Sequence, residues 1–225
     1  MESVESTWVS LIQRIESLDS KVRLIENNGY NDDPKEDTIV QAKVRKACID
    51  DGMKLFYFHR APADYYSWKL EERGVFLGCN IRCLCKSVIL ENKAWDGQVG
   101  DDTNSRYYLC IVQYISKLDT EYLRTLVKEL RSTDTQLSKK KFNFQLADEK
   151  TSFDLSGFEH NGVTPCGMKQ RIPFIISKAI TDIPENGCWL GGGEIDLKLW
   201  VNVPEFINIY HPYILDCTHP RPEYE

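Results

Sequence analysis

Lys86 is the residue best placed by type to do chemistry. It interrupts an otherwise apolar run, Ile81-Arg-Cys-Leu-Cys-Lys86-Ser-Val-Ile-Leu90. Strand alternation sets Leu84, Lys86 and Val88 on one face and Cys83, Cys85 and Ser87 on the other. An ammonium group among such neighbours must be paired, snorkel to an edge, guard that edge against aggregation, or act on a ligand. Two glycine-rich segments follow, Gly157-Phe-Glu-His160-Asn161-Gly162-Val163-Thr164-Pro165-Cys-Gly167 and Trp189-Leu-Gly191-Gly192-Gly193-Glu-Ile-Asp196-Leu. They flank the apolar run Ile172–Ser177. Glycine lets a backbone approach a ligand closely, and clustered N–H groups receive a carbonyl or an oxyanion. The same residues also serve two ordinary tight turns. Both readings stay open on spacing alone.

Other reactive side chains contribute less. His160 adjoins the first segment, where it can meet a substrate or a water, or simply satisfy a nearby carbonyl. Cys166 reads as a packing residue, since no basic partner is evident to lower its pKa. No Ser-His-Asp or Cys-His arrangement emerges. The tightest cysteine group, Cys79-x3-Cys83-x-Cys85, has neither a paired CxxC nor a nearby histidine, so no metal is expected. No cofactor is expected either.

The elements that must position these residues follow from pattern. Val4, Trp8, Leu11, Ile15, Leu18, Val22 and Ile25 form a heptad seam over residues 4–26. That amphipathic helix either pairs with another copy or another protein, or packs on its own domain. Asn27-Asn28-Gly29 stops it. Residues 29–37 read as a polar linker. Helices are predicted over 38–50, 63–73 (stopped by Gly74), 119–130, just before Gly157, and 204–210. Strands are predicted over 54–58, 81–90, 106–114, 142–146 and 196–201. The tail 211–225 holds three prolines and reads as irregular. Mixed strand and helix order implies an α+β (mixed α/β) chain without Rossmann alternation.

Composition narrows the class. The chain has 225 residues, 42% hydrophobic and 28% charged, with a formal net charge of −6. This is globular usage, without the basic excess of a nucleic-acid coat. Two local basic runs, Lys43-Val-Arg45-Lys46 and Lys139-Lys-Lys141, read as solvated faces or loops. No apolar run is long enough to span a membrane. The acidic N-terminus has no signal-like core, so the eight cysteines are expected to be reduced, buried cytosolic thiols.

Three features stand in order: Leu84-Cys85-Lys86-Ser87-Val88, the loop ending Gly162-Val163-Thr164-Pro165, and Gly191-Gly192-Gly193 before a Leu/Asp strand. Together they resemble the YbaK/ProX family, aminoacyl-tRNA deacylases related to the editing domain of bacterial prolyl-tRNA synthetase. The resemblance runs from about Lys54 to Tyr210. It implies a mixed β-sheet or barrel surrounded by helices. The domain would span 38–215, after the helix 1–28 and linker 29–37 and before the tail 216–225. It also implies hydrolysis in trans of mischarged tRNA, with cysteine or alanine on tRNA for proline as the expected substrate. Prolyl-tRNA synthetase is an implied partner. Residues 4–26 could support a homo-oligomer, and the location would be cytoplasmic.

In this resemblance Lys86 positions the terminal adenosine or phosphate, or meets the carbonyl as charge develops. His160, Asn161, Gly162, Val163, Thr164, Pro165, Gly191, Gly192, Gly193 and Asp196 would bind the substrate. A cysteinyl ester can be attacked by its own thiol, whereas an alanyl or seryl ester needs a bound water. One departure stands out: Asn161 occupies the position where the family's Gly-x-x-x-Pro loop begins. The alternative is a tRNA- or synthetase-binding module that kept the fold without catalysis.

Overall fold

The structure is a computed structural model that describes Trp8 and residues 34–98 and 100–224. The chain divides into two compact units, Met1–Asp37 and Thr38–Glu225. Apart from Trp8, the heptad seam expected over 4–26 lies outside the described residues.

The second unit opens with α1 (Ile39–Asp50), whose N-cap Thr38 accepts from the Gln41 amide. β1 (Phe56–Arg60) follows, then a 3-10 turn at Tyr65–Ser67 and α2 (Leu70–Phe76). Gly74 does not stop this helix as the sequence suggests. It lies inside α2, where a Cβ would stand 2.9 Å from the Cys79 carbonyl oxygen. Close approach of the following backbone, not helix termination, is what requires glycine there.

β2 (Cys85–Asn92), β3 (Tyr107–Gln113) and β4 (Ser116–Leu118) lead to α3 (Thr120–Lys128), capped by Asp119. β5 (Phe144–Leu146), α4 (Glu149–Ser156), β6 (Phe174–Ser177) and α5 (Lys178–Thr181) come next. The last elements are β7 (Gly187–Gly191), β8 (Leu197–Asn202), α6 (Val203–Tyr210), β9 (Tyr213–Leu215) and β10 (Thr218–Pro220). The tail is thus not irregular throughout. β10 pairs antiparallel with β4, and β9 joins the main sheet beside β6.

Among the described residues there are three sheets, ordered β5-β2-β3-β6-β9, β1-β8-β7 and β10-β4. The five-stranded sheet is mixed: β2–β3 and β2–β5 are antiparallel, β3–β6 and β6–β9 parallel. Alternation along its strands feeds two cores. Leu90, Tyr108, Cys110 and Ile175 pack with Leu123 and Val127 of α3, while Ile89 and Leu109 pack with Leu155 of α4 and with Ile172. The fold is therefore mixed α/β, as the element order implied.

One topological detail makes room for a site. β5 pairs with β2 only at Leu90–Asn92. A single bridge, Leu84 to Trp189, ties the start of β2 to β7. Between those two fastenings, the edge of β2 and the end of β7 stand apart.

Candidate functional site

A cavity of about 390 Å³ fills that gap. Its walls include Leu84–Ile89 from β2, Trp189–Gly191 from β7, Tyr65 and Tyr66 from the 3-10 turn, Tyr114 and Lys198. Glu149 and Ser152 of α4, with His160, Asn161 and Val163, complete the opposite side.

Lys86 is half-buried, opposite Val112 across the β2–β3 pair, with its ammonium 5.5 Å from the centre of the Tyr114 ring. Burial, helped by the charge of Arg221, pulls its pKa below the usual lysine range. The neighbouring Ser87 hydroxyl and the Trp189 indole N–H are buried without a hydrogen-bond partner among the described residues. Both residues line the cavity.

Sequence reading missed a second lysine. Lys198 of β8 pairs across the sheet with Gly191 and with His59. Only 4% of its surface is exposed. Its ammonium donates to the Tyr66 hydroxyl at 2.9 Å and the Ile195 carbonyl at 2.8 Å. It also stands 4.3 Å and 4.8 Å from the centres of the Tyr66 and Tyr65 rings. Burial lowers its pKa to about 8, with Asp196 acting against the shift and Arg73 adding to it. Arg73 braces the same aromatic group from behind, donating to the Trp68 and Tyr66 carbonyls and packing over the Tyr114 ring. The available signal was the one that marked Lys86: Leu197-Lys-Leu-Trp-Val201 also breaks an apolar strand with a lysine.

The two glycine-rich segments do come together, chiefly on each other. The Gly193 amide donates to the Gly162 carbonyl at 2.9 Å. A Cβ on Gly162 would stand 2.8 Å from the Gly193 carbonyl oxygen, and one on Gly191 only 2.7 Å from that of Val163. Glycine at these positions permits backbone-on-backbone packing. Asn161 adopts φ of 64°, the left-handed region that asparagine tolerates better than most side chains. The bend therefore survives the departure from glycine, and its carbonyl accepts from the Tyr66 hydroxyl at 3.0 Å.

Lys86, the expected catalytic residue, lines the cavity, and so do His160, Asn161, Val163 and Gly191 of the residues expected to bind substrate. Gly162, Thr164, Pro165, Gly192, Gly193 and Asp196 are not among its lining residues. Thr164 is fully buried. Pro165 borders a separate recess. Gly193 packs against Val40, Val44 and Phe158. Asp196 is held by Arg60 at 2.9 and 2.8 Å, and Arg60 also reaches Glu194 and Gln41. That network ties β1 and α1 to the 193–196 turn, which is an architectural use of the carboxylate.

The chain is acidic overall, yet the cavity wall carries Lys86 and Lys198 against one carboxylate, Glu149. In a partly enclosed, low-dielectric space such a local excess attracts an anion despite the net charge. Tyr66, Tyr114 and Trp189 add aromatic surface to the cavity walls. The arrangement suits a ligand with a phosphate or carbonyl oxygen next to a planar group. Among the described residues, no group of three or more histidines, cysteines or carboxylates is placed to hold a metal. No helix among them is long and apolar enough to cross a membrane.

No family model and no curated protein matches this chain. Solved structures do. A candidate trans-editing enzyme for prolyl-tRNA synthetase superposes with a TM-score of 0.63 at 16% identity, covering 82% of this chain and 99% of that one. The three-dimensional fold is shared. A scaffold protein from work on epitope backbone grafting by computational design gives 0.63 at 17% identity, over 81% of this chain and 99% of that one. A hypothetical protein gives 0.59 at 16% identity, over 79% and 99%. At these identities the likeness is one of fold.

Proposed function

We propose that the Thr38–Glu225 unit is an aminoacyl-tRNA deacylase that clears mischarged tRNA in trans. The observation that carries this reading is the cationic, aromatic-walled cavity around Lys86, in a chain that shares its fold with a candidate trans-editing enzyme. The reaction is hydrolysis of the ester between an amino acid and the terminal ribose. Water adds to the acyl carbon, the bond to the ribose oxygen breaks, and the proton lost by water ends on that oxygen. Such an ester is already activated, so holding it in place and stabilising the oxyanion suffice. Lys86 holds the terminal phosphate or the carbonyl as charge builds. Tyr114, beside Lys86, gives the terminal base an aromatic wall. The Asn161–Val163 bend and Gly191 frame the acyl group. Cysteine or alanine on tRNA for proline is the substrate this reading favours, with prolyl-tRNA synthetase as a docking partner in the cytoplasm. The segment 4–26 would supply the docking or self-association surface.

The test is release of labelled amino acid from tRNA for proline charged with cysteine, alanine, serine or proline. Wild type should hydrolyse one mischarged species and spare the proline form. Lys86→Ala should lower that rate on the order of 10²-fold, the size typical of removing a group that stabilises an oxyanion. Turnover unchanged by Lys86→Ala removes Lys86 from the site. Binding of tRNA without hydrolysis of any species would identify a binding module instead.

A further inference from the structure

Lys198 does something that neither packing nor the chemistry assigned to Lys86 accounts for. Replacing water around an ammonium group with a nearly closed protein site is costly unless the charge is used. Lys198 has no ion-pair partner within contact distance among the described residues; the two acceptors of its hydrogen bonds are neutral, a hydroxyl and a carbonyl. Those acceptors belong to different segments. Ile195 lies in the turn after Gly191–Gly193, and Tyr66 passes the connection on to the Asn161 carbonyl. A continuous path therefore runs from the Ile195 carbonyl through the Lys198 ammonium and the Tyr66 hydroxyl to Asn161. It joins the two glycine-rich segments across the wall of the cavity. The third N–H of the ammonium is not used by either bond.

We propose that Lys198 is a specificity-determining positioning residue: by tying Tyr66 and the Asn161 bend to the Ile195 turn, it fixes the cavity width that selects the acyl group. The proposal takes its substrate from the deacylase reading. Its mechanical part stands on the hydrogen-bond path alone. The three geometric elements support each other. Asn161 sits in the left-handed region, so its carbonyl direction depends on what holds it. Tyr66 can orient that carbonyl only if its hydroxyl hydrogen points to Asn161. The Lys198 ammonium on its other side cannot accept a hydrogen bond, so it turns the hydroxyl hydrogen away from itself, toward Asn161 and the Tyr114 hydroxyl beyond. A neutral hydrogen-bonding residue such as glutamine could accept as well as donate and would leave the hydroxyl free to turn away. Arg73, donating to the Tyr66 carbonyl, fixes the other end of the same residue.

Two variants separate this role from simple destabilisation. Tyr66→Phe keeps the ring and removes the hydroxyl; Lys198→Met keeps length and apolar bulk and removes the donor. The first readout is amide hydrogen exchange of the full chain. Both variants should speed exchange in 159–164 to a similar degree, leaving α3 and β3 as slow as in wild type. The second readout is the ratio of kcat/KM between the mischarged and the correctly charged tRNA, which does not depend on how much enzyme is folded. That ratio should fall about tenfold, the size of a discrimination set by pocket fit. The double variant should lose no more than either single one, since both cut one path. Lys198→Arg, which keeps the donor, should restore part of the ratio.

Unchanged exchange in 159–164 overturns the proposal, whatever the activity. Faster exchange with an unchanged ratio also overturns it, since the path would then be structural only. If Lys198→Met does not fold, Tyr66→Phe decides alone by the same two readouts. If wild type hydrolyses no species, the deacylase reading fails and the specificity role with it. Exchange then still reports whether the strut exists.

Discussion

At the scale of single residues, the site depends on where ordinary side chains are put. Asn161 shows this most directly. A side chain in the left-handed region costs roughly 1–2 kcal/mol for most residues and much less for asparagine or glycine. Asn161→Gly should therefore change stability by only a few tenths of a kcal/mol, while Asn161→Ala should cost about 1 kcal/mol. Urea midpoints of the two variants check this, and equal midpoints would mean that the bend relaxes out of the left-handed region. The two lysines show what sequence could offer at this scale. Lys86 was legible because it breaks an apolar run, and Lys198 breaks another in the same way. Only its neighbour across the fold, Tyr66, gives the second lysine its meaning. Tyr66 lies 132 positions away in the chain. No linear spacing carries that relation. Asp196, which the family resemblance offers as a substrate contact, accepts two hydrogen bonds from Arg60.

At the scale of elements, local chemistry fixed most boundaries. Thr38, Asp119, Asp148 and Asn202 each cap a helix by accepting from a backbone amide. Gly157 closes α4 in the left-handed conformation. Such signals are local and therefore readable. Gly74 was misread because the reason for glycine there is a carbonyl five positions later, not the helix itself. Gly191–Gly193 had a similar hidden reason. Their bareness reads as a floor for a ligand, and the structure uses much of it to let one turn lie against another. Gly191→Ala would bring a Cβ to 2.7 Å from the Val163 carbonyl oxygen, which is backbone and cannot swing aside. The expected cost is about 1–3 kcal/mol, the range for overpacking a tight contact. Because Gly191 and Val163 both line the cavity, the same variant should weaken substrate binding as well as lower the urea midpoint. A variant with the wild-type midpoint would mean that the two segments can separate freely.

At the scale of the whole molecule, the mixed class was legible from element order, and the sheet order was not. Parallel pairing of β6 with β3 and of β9 with β6 joins segments far apart in sequence, and strand patterns do not state their partners. The thiols are also a whole-molecule property, and they set how stability must change with pH. All eight cysteines are free, and only Cys79 is not fully buried. A hydrogen bond with Cys166 raises the pKa of Cys48, one with Cys79 raises that of Cys83, and burial raises those of Cys85 and Cys110. Burial pushes Cys217 up to about 12. In the unfolded chain each thiol ionises near 8.5. Below that pH both states keep the proton and nothing is lost. Above it the unfolded state releases protons that the folded state retains, so folding loses stability as pH rises. At pH 9.5 the loss is about 1 kcal/mol for each such thiol, and five together rival the roughly 5–15 kcal/mol that holds a typical domain folded. Lys198 acts in the opposite direction. Its folded pKa of about 8 lies below the unfolded value. The cost of burying its charge, on the order of 3 kcal/mol, is present below pH 8 and relieved as pH rises toward 10.4. Arg73, Asp196, Tyr65 and Tyr66 surround it, and none of them offsets five thiols. The urea midpoint in reducing buffer should therefore hold between pH 7 and 8 and drop steeply by pH 9.5. In Lys198→Met the drop should be steeper still, because the opposing relief is gone. A midpoint that stays level to pH 9.5 would mean that the thiols ionise in the folded protein, and their burial could not then be the source of its pH response.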